Sequence, residues 1–118
     1  MPRSYRTYLQ DILSAIAKID DYIAGLEVDV FKQTSIVIDS VGMNLVIIGE
    51  AARNVPESIR QKYPDVEWRN IVDLRNVITH EYFRLNLDRI WDITQVELPK
   101  LREQINLILE SEQTHGEE

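Results

Sequence analysis

Residues 35–54 read SIVIDSVGMNLVIIGEAARN, twenty residues with hydrophobic side chains on nearly every side of a helical wheel. Val37, Val41, Leu45, Ile48 and Ala52 recur at three- and four-residue steps and form one core stripe. Ile36, Met43, Val46 and Ile47 make other faces apolar as well. A helix of this kind belongs at the centre of a bundle or under a second subunit. The segment is expected to be helical from Thr34 or Ser35 to Asn54, before Pro56 stops it. Gly42 and Gly49, seven apart, lie on nearly one face and would let a neighbouring helix approach closely. A phosphate loop is a poor reading, because no strand precedes them and no GK[ST] follows.

Working outward, Tyr5, Leu9, Ile12, Ile16, Ile19 and Ile23 make a single apolar stripe from Ser4 to about Ala24, with Ser4 as N-cap and Gly25 as terminator. Residues 26 to 33 read as a connection in which Phe31 is a packing anchor. After Pro56 a short helix is expected over Glu57 to Lys62, and Tyr63-Pro64-Asp65 punctuates again. A third long helix is expected over Val66 to Thr79 on Ile71, Leu74 and Ile78, with Trp68 at one edge. The last starts near the N-cap Asn86 and carries Leu87, Ile90, Trp91, Leu98, Leu101, Ile105 and Ile108. A kink, or two abutting segments, is expected near Pro99. Residues 111–118 read as a polar, frayed tail beyond one domain of residues 1–110. No period-two alternation, internal repeat or low-complexity tract is present, so the fold class is all-α: an up-and-down bundle of four main helices with short extras.

A chain of 118 residues with 44% hydrophobic side chains can bury one core without staples. The absence of cysteine removes disulfides, thiolate nucleophiles and Cys-based metal sites, and suits a reducing cytoplasm. No apolar run approaches the ~20 residues that span a bilayer, and residues 1–8 lack the apolar core of a signal peptide. No membrane association is therefore expected. The formal charge of −7 argues against a general polyanion binder. Yet Arg69, Arg75, Arg84 and Arg89 cluster in the middle of the chain, leaving room for a local cationic notch.

Within that middle region, RNVITHEYF (75–83) sets polar groups into a segment otherwise patterned for packing. At 100° per residue, Arg75 and His80 point about 140° apart, whereas Asn76 and His80 share a flank. One straight helix cannot close a site on Arg75 and His80. Either the helix ends near His80, or a second copy supplies the missing groups. On residue types alone the plainer explanation leads: an arginine edging a core snorkels or pairs with an acid, and a histidine near a helix C-terminus complements the dipole. His80 and His115 are too few and too distant for a histidine metal site, and Thr79-His80-Glu81 does not continue to the second histidine of HExxH. No nucleophile elbow marks a Ser/His/Asp triad. Asp20, Asp21, Asp73 and Glu81 read as solvated faces, with Asp73 able to pair with Arg69 at i, i+4.

The segment matches R-x4-H-x-Y and resembles the signature of the HepT toxins in the HEPN superfamily. Asn44-Leu45, Ile47-Ile48-Gly49-Glu50-Ala51, Tyr63-Pro64, Trp68-Arg69, His80-Glu81-Tyr82-Phe83, Trp91-Asp92-Ile93 and Glu97-Leu98-Pro99 follow the family pattern in order, over nearly the whole chain. Met43 and Val46 depart from it, standing where polar or charged residues are frequent. The resemblance implies a HEPN helical homodimer and a metal-independent endoribonuclease without cofactors, its Arg/His motifs meeting in a cleft at the dimer interface. It implies that Arg75 and His80 act on an RNA phosphate, with Asn76 as an auxiliary. It further implies that Tyr82 accepts AMP from an MntA-type minimal nucleotidyltransferase antitoxin, which inactivates the toxin. The competing reading is a non-catalytic nucleotide-binding module that serves as partner to such a nucleotidyltransferase. A third is a purely structural bundle.

Overall fold

A computed structural model of the protein describes residues 4–116, with side chains to residue 112; all regular structure among the described residues is helical. Helix α1 (Tyr5–Ile23) starts at Ser4, whose hydroxyl accepts from the Arg6 N–H at 3.2 Å, and ends before Gly25 at φ +77, a left-handed conformation that a side chain would strain. Its stripe of Leu9, Ile12, Ile16, Ile19 and Ile23 is buried. The next segment corrects the sequence reading: residues 28–33 form a short helix, α2 (Val28–Gln33), instead of an irregular connection. Six residues are too few for a helical period to register, but Asp29 in its first turn and Lys32 in its last complement the helix dipole. Phe31 is the anchor expected, fully buried with its ring 5.2 Å from Trp91.

Helix α3 (Ser35–Asn54) is the central element, flanked by α1 and by α5 (Trp68–His80), with α4 (Glu57–Lys62) between. Val41, Leu45, Ile48 and Ala52 are buried and Val37 half-buried, as the periodicity requires. Contrary to the expectation that no apolar stretch reaches membrane-spanning length, α3 is long and apolar enough to cross a bilayer by length and composition. Here it lies between two helices and carries Asp39, Glu50 and Arg53. Helix α5 begins two residues later than expected, because the Tyr63–Asp65 turn is extended by an indole bond from Trp68 Nε1 to the Tyr63 carbonyl at 3.0 Å. It ends at His80, one residue later than expected.

A 3-10 turn (Tyr82–Arg84) leads to α6 (Leu87–Asp92), capped as expected by Asn86, whose side chain accepts from the Arg89 N–H at 3.1 Å. Near Pro99, where a kink is expected, the observed irregularity is a π-helical stretch, Ile93–Glu97, followed by α7 (Leu98–Gly116). Proline lacks an N–H and its ring crowds the carbonyl four residues back. The widened turn, in which the Leu98 N–H reaches the Ile93 carbonyl, falls where those carbonyls need rearranging. Residues 117 and 118 of the expected frayed tail lie outside the described residues. Helix α7 returns along α1, tied by Arg102 to Asp20 and by Arg6 Nη1 to the Leu109 carbonyl at 3.2 Å. The lateral order is thus α5, α3, α1, α7. A groove of about 300 Å³ lies over α3 between α5 and the π-helical stretch, floored by Leu45, Ile48, Ile71, Leu74 and Ile93.

Candidate functional site

Two glycines of α3 lie close against the segment that runs from α5 into the 3-10 turn, in keeping with the close approach their seven-residue spacing allows. A Cβ on Gly49 would overlap the Arg75 Cβ and stand 3.1 Å from the Ile71 carbonyl. One on Gly42 would meet Tyr82 Cε1 at 3.4 Å and Ile78 Cγ2 at 4.0 Å. Seven residues back along α3 match seven residues forward from Arg75 to Tyr82, so the glycines seat the two ends of the R-x4-H-x-Y segment against one helix.

An acid accompanies each glycine. Glu50 Oε2 lies 3.1 Å from Arg75 Nε, and Arg75 Nη1 donates to Asn76 Oδ1 at 2.9 Å. The Arg75–Glu50 contact is close in charge but poorly aligned: both Arg75 Nε and Glu50 Oε2 are buried atoms without a hydrogen bond. A buried donor left so costs about 1–3 kcal/mol, and a better-placed anionic oxygen would relieve it. Asp39, one turn before Gly42, accepts a hydrogen bond from the Tyr82 hydroxyl. Tyr82 is half-buried, and its ring meets Phe83 edge-on at 5.7 Å.

His80 is the last residue of α5 and is exposed, as is Asn76 on the same flank. Arg75 instead faces α3 with 25% of its side chain accessible, and no hydrogen bond or ion pair joins it to His80 among the described residues. The structure therefore brings Arg75 and Asn76 together, and it leaves His80 on a separate face. Residues His80 to Arg84 line a shallow depression of about 330 Å³. Beside this region run exposed apolar side chains: Ile36, Met43 and Ile47 on one face of α3, Val77 on α5, and Phe83, which is 99% exposed. Arg69 and Asp73 form the exposed i, i+4 contact expected of them, at 3.9 Å.

Two residues escaped the sequence reading as participants, Asp39 and Glu50. The signal was present in form, since each acid lies within one turn of a glycine that admits a neighbouring helix. Helical spacing does not say which side chain the neighbour inserts there. Among the described residues no group of three or more metal-ligating side chains is gathered.

A family model described as ribonuclease HepT-like matches residues 12–108. The chain is 33% identical to the "Putative RNase" of Caldanaerobacter subterraneus subsp. tengcongensis over 91% of its own length and 96% of that protein's. It is 29% identical to the "Probable ribonuclease HepT" of Thermococcus cleftensis, over 86% and 93%. A Methanocaldococcus jannaschii protein named "Gamma-glutamylcyclotransferase and putative RNase" is 32% identical over 93% of this chain, which spans half of that longer relative. No solved structure gives a significant match.

Proposed function

The chain belongs to the HepT-like ribonuclease family, and from that premise we propose that it is the toxin of a toxin–antitoxin system, a metal-independent endoribonuclease acting as a homodimer. The observation that carries the proposal is the state of Arg75. Its guanidinium is held beside α3 with a buried Nε lacking a hydrogen bond, while His80 is exposed at the end of the same helix. Each protomer offers half of an arrangement that a two-fold axis would complete around one phosphate. The exposed face of Ile36, Met43 and Ile47, with Val77, is the surface such a partner would cover.

The ribose 2′-hydroxyl attacks the adjacent phosphorus, and the bond to the 5′-oxygen breaks. His80 acts as general base or acid, since an imidazole can accept a proton on one ring nitrogen and donate one from the other. Arg75 holds the phosphate by its planar fork and offsets charge developing on the equatorial oxygens. Asn76 holds the Arg75 fork through its amide oxygen. Neutralisation follows from AMP transfer to Tyr82 by an MntA-type minimal nucleotidyltransferase, which adds negative charge and bulk two residues from His80.

Purified wild type, with Tyr82 free of AMP, is expected to cut RNA in excess EDTA, and Arg75→Ala or His80→Ala to lower the rate by about 10²–10⁴-fold with folding and dimerisation retained. The acidic chain and the Arg75–Glu50 pairing favour a second reading, a non-catalytic module that binds a nucleotide phosphate for its nucleotidyltransferase partner. Absence of cleavage by wild type under those conditions would leave that reading standing and sink the nuclease.

A further inference from the structure

Tyr82 is one of five tyrosines, and what receives its side chain sets it apart. Its ring lies against Gly42, and its hydroxyl donates to Asp39 Oδ1 one turn earlier on α3. Tyr63 also donates to a carboxylate, but there Glu112 is buried and engaged by Lys62 at 2.8 Å, and burial pushes the Tyr63 phenol upward from its ordinary pKa. Asp39 is exposed, and among the described residues no ion pair engages it. A nucleophilic hydroxyl needs a base in reach of its proton and lone pairs open to an incoming electrophile. A half-buried phenol bonded to an exposed, uncompensated carboxylate has both.

We infer that Asp39 is the proton acceptor for Tyr82, making this phenol the activated nucleophile of the chain toward phosphoryl-class electrophiles. In its physiological form the inference rests on the AMP transfer proposed above. The Tyr82 oxygen bonds to the α-phosphorus of the nucleoside triphosphate brought by the nucleotidyltransferase. The bond from that phosphorus to the pyrophosphate oxygen breaks, pyrophosphate leaves with the electron pair, and the phenolic proton passes to Asp39. Asp39, being exposed, then hands the proton to solvent, and the product has lost the donor that held it on α3 and carries an anionic phosphodiester beside a carboxylate. Like charges at that distance repel, so the modified side chain leaves its seat on Gly42 and fills the depression bordered by His80. The residue that assists transfer thereby also drives the adduct into the cleft.

The test needs no partner at first. The full chain is treated with an aryl sulfonyl fluoride, with which a tyrosine oxygen displaces fluoride from sulfur and gives up its proton, and each tyrosine is followed by peptide mass mapping. Tyr82 should label fastest, at a rate flat between about pH 6 and pH 8. Asp39→Asn should slow it on the order of 10²-fold at neutrality, and the lost rate should return as the pH is raised and hydroxide takes over the removal of the proton. Tyr22, exposed and distant in sequence, should be unchanged. Equal or faster labelling of Tyr82 in Asp39→Asn overturns the inference, the faster result meaning that Asp39 merely hides the hydroxyl. A second arm uses the nucleotidyltransferase with ATP and Mg²⁺. Asp39-dependent probe labelling without AMP on Tyr82 defeats the AMP reading alone, whereas equal AMP transfer to wild type and Asp39→Asn defeats the Asp39 inference alone.

Discussion

At the scale of single residues, the two glycines of α3 make a contrast that composition hides. Both are buried in one helix and seven apart, and both would gain about 0.5–1 kcal/mol of helical propensity on becoming alanine. At Gly42 the new methyl meets Tyr82 Cε1 at 3.4 Å, an ordinary contact, so Gly42→Ala is expected to be neutral or slightly stabilising. At Gly49 it overlaps the Cβ of Arg75, the rigid root of a helical side chain, and the Ile71 carbonyl is also close. Gly49→Ala must therefore push α5 away, at an overpacking cost of about 1–3 kcal/mol. Urea titration of the two variants should separate them in midpoint, with wild type at or slightly below Gly42→Ala and clearly above Gly49→Ala. The expected displacement of Arg75 also predicts that Gly49→Ala loses RNA cleavage out of proportion to its stability, whereas Gly42→Ala does not.

At the scale of elements, the helices on which the site depends were legible because their periods are long. The nineteen residues of α1 and twenty of α3 repeat their apolar positions often enough to fix both identity and face. Ser4 and Asn86 announced their caps by side-chain chemistry. The six-residue α2 was missed for the opposite reason, and the π-helical stretch before Pro99 was unreadable because its cause is a local carbonyl conflict rather than a pattern. At the candidate site, positions on α5 were legible, including the divergence of Arg75 from His80. The acids facing them from α3 were not, since pairings such as Asp39–Tyr82 and Glu50–Arg75 arise only after helices dock.

The same limit hid the link between α4 and α7, where Glu112 accepts from the Tyr63 hydroxyl and pairs with Lys62 at 2.8 Å. The hydrogen bond to Glu112 raises the Lys62 pKa above its ordinary value, and burial followed by the same carboxylate raises that of Tyr63. A folded-state pKa raised above the unfolded one contributes stability that is present below the unfolded value and lost as pH rises through the folded value. Both groups therefore place the loss above about pH 10. Thermal melts of wild type should fall through that alkaline range more steeply than those of Glu112→Gln. At neutral pH wild type should melt higher than the variant, which has lost the anionic acceptor that Tyr63 and Lys62 share.

At the scale of the whole molecule, charge and apolar surface pull in opposite directions. Each chain carries −7, so two copies approaching through α3 repel over distances that salt screens within about 8 Å at physiological ionic strength. The side chains of Ile36, Met43 and Ile47 are uncharged, though Asp39 and Glu50 lie on the same side of α3, and the burial of apolar surface depends little on salt. The proposed contact of Arg75 with an RNA phosphate should behave in the contrary sense, because phosphate contacts release counterions and weaken as salt rises. Dimerisation and substrate binding should therefore respond oppositely to ionic strength. Sedimentation equilibrium is expected to show a tighter dimer as salt increases, while RNA affinity measured at saturating dimer falls. With few cations to engage phosphates on an acidic body, that fall should be shallow, the slope of log affinity against log salt being about −0.7 per contact for single strands. Met43→Glu puts a carboxylate at the centre of the apolar face without touching Arg75 or His80. It should give monomers at concentrations where wild type is dimeric, and cleavage should disappear although both motif residues remain. A Met43→Glu monomer that cleaves as wild type does would mean that one chain closes the site by itself, against the separation of Arg75 from His80 on α5.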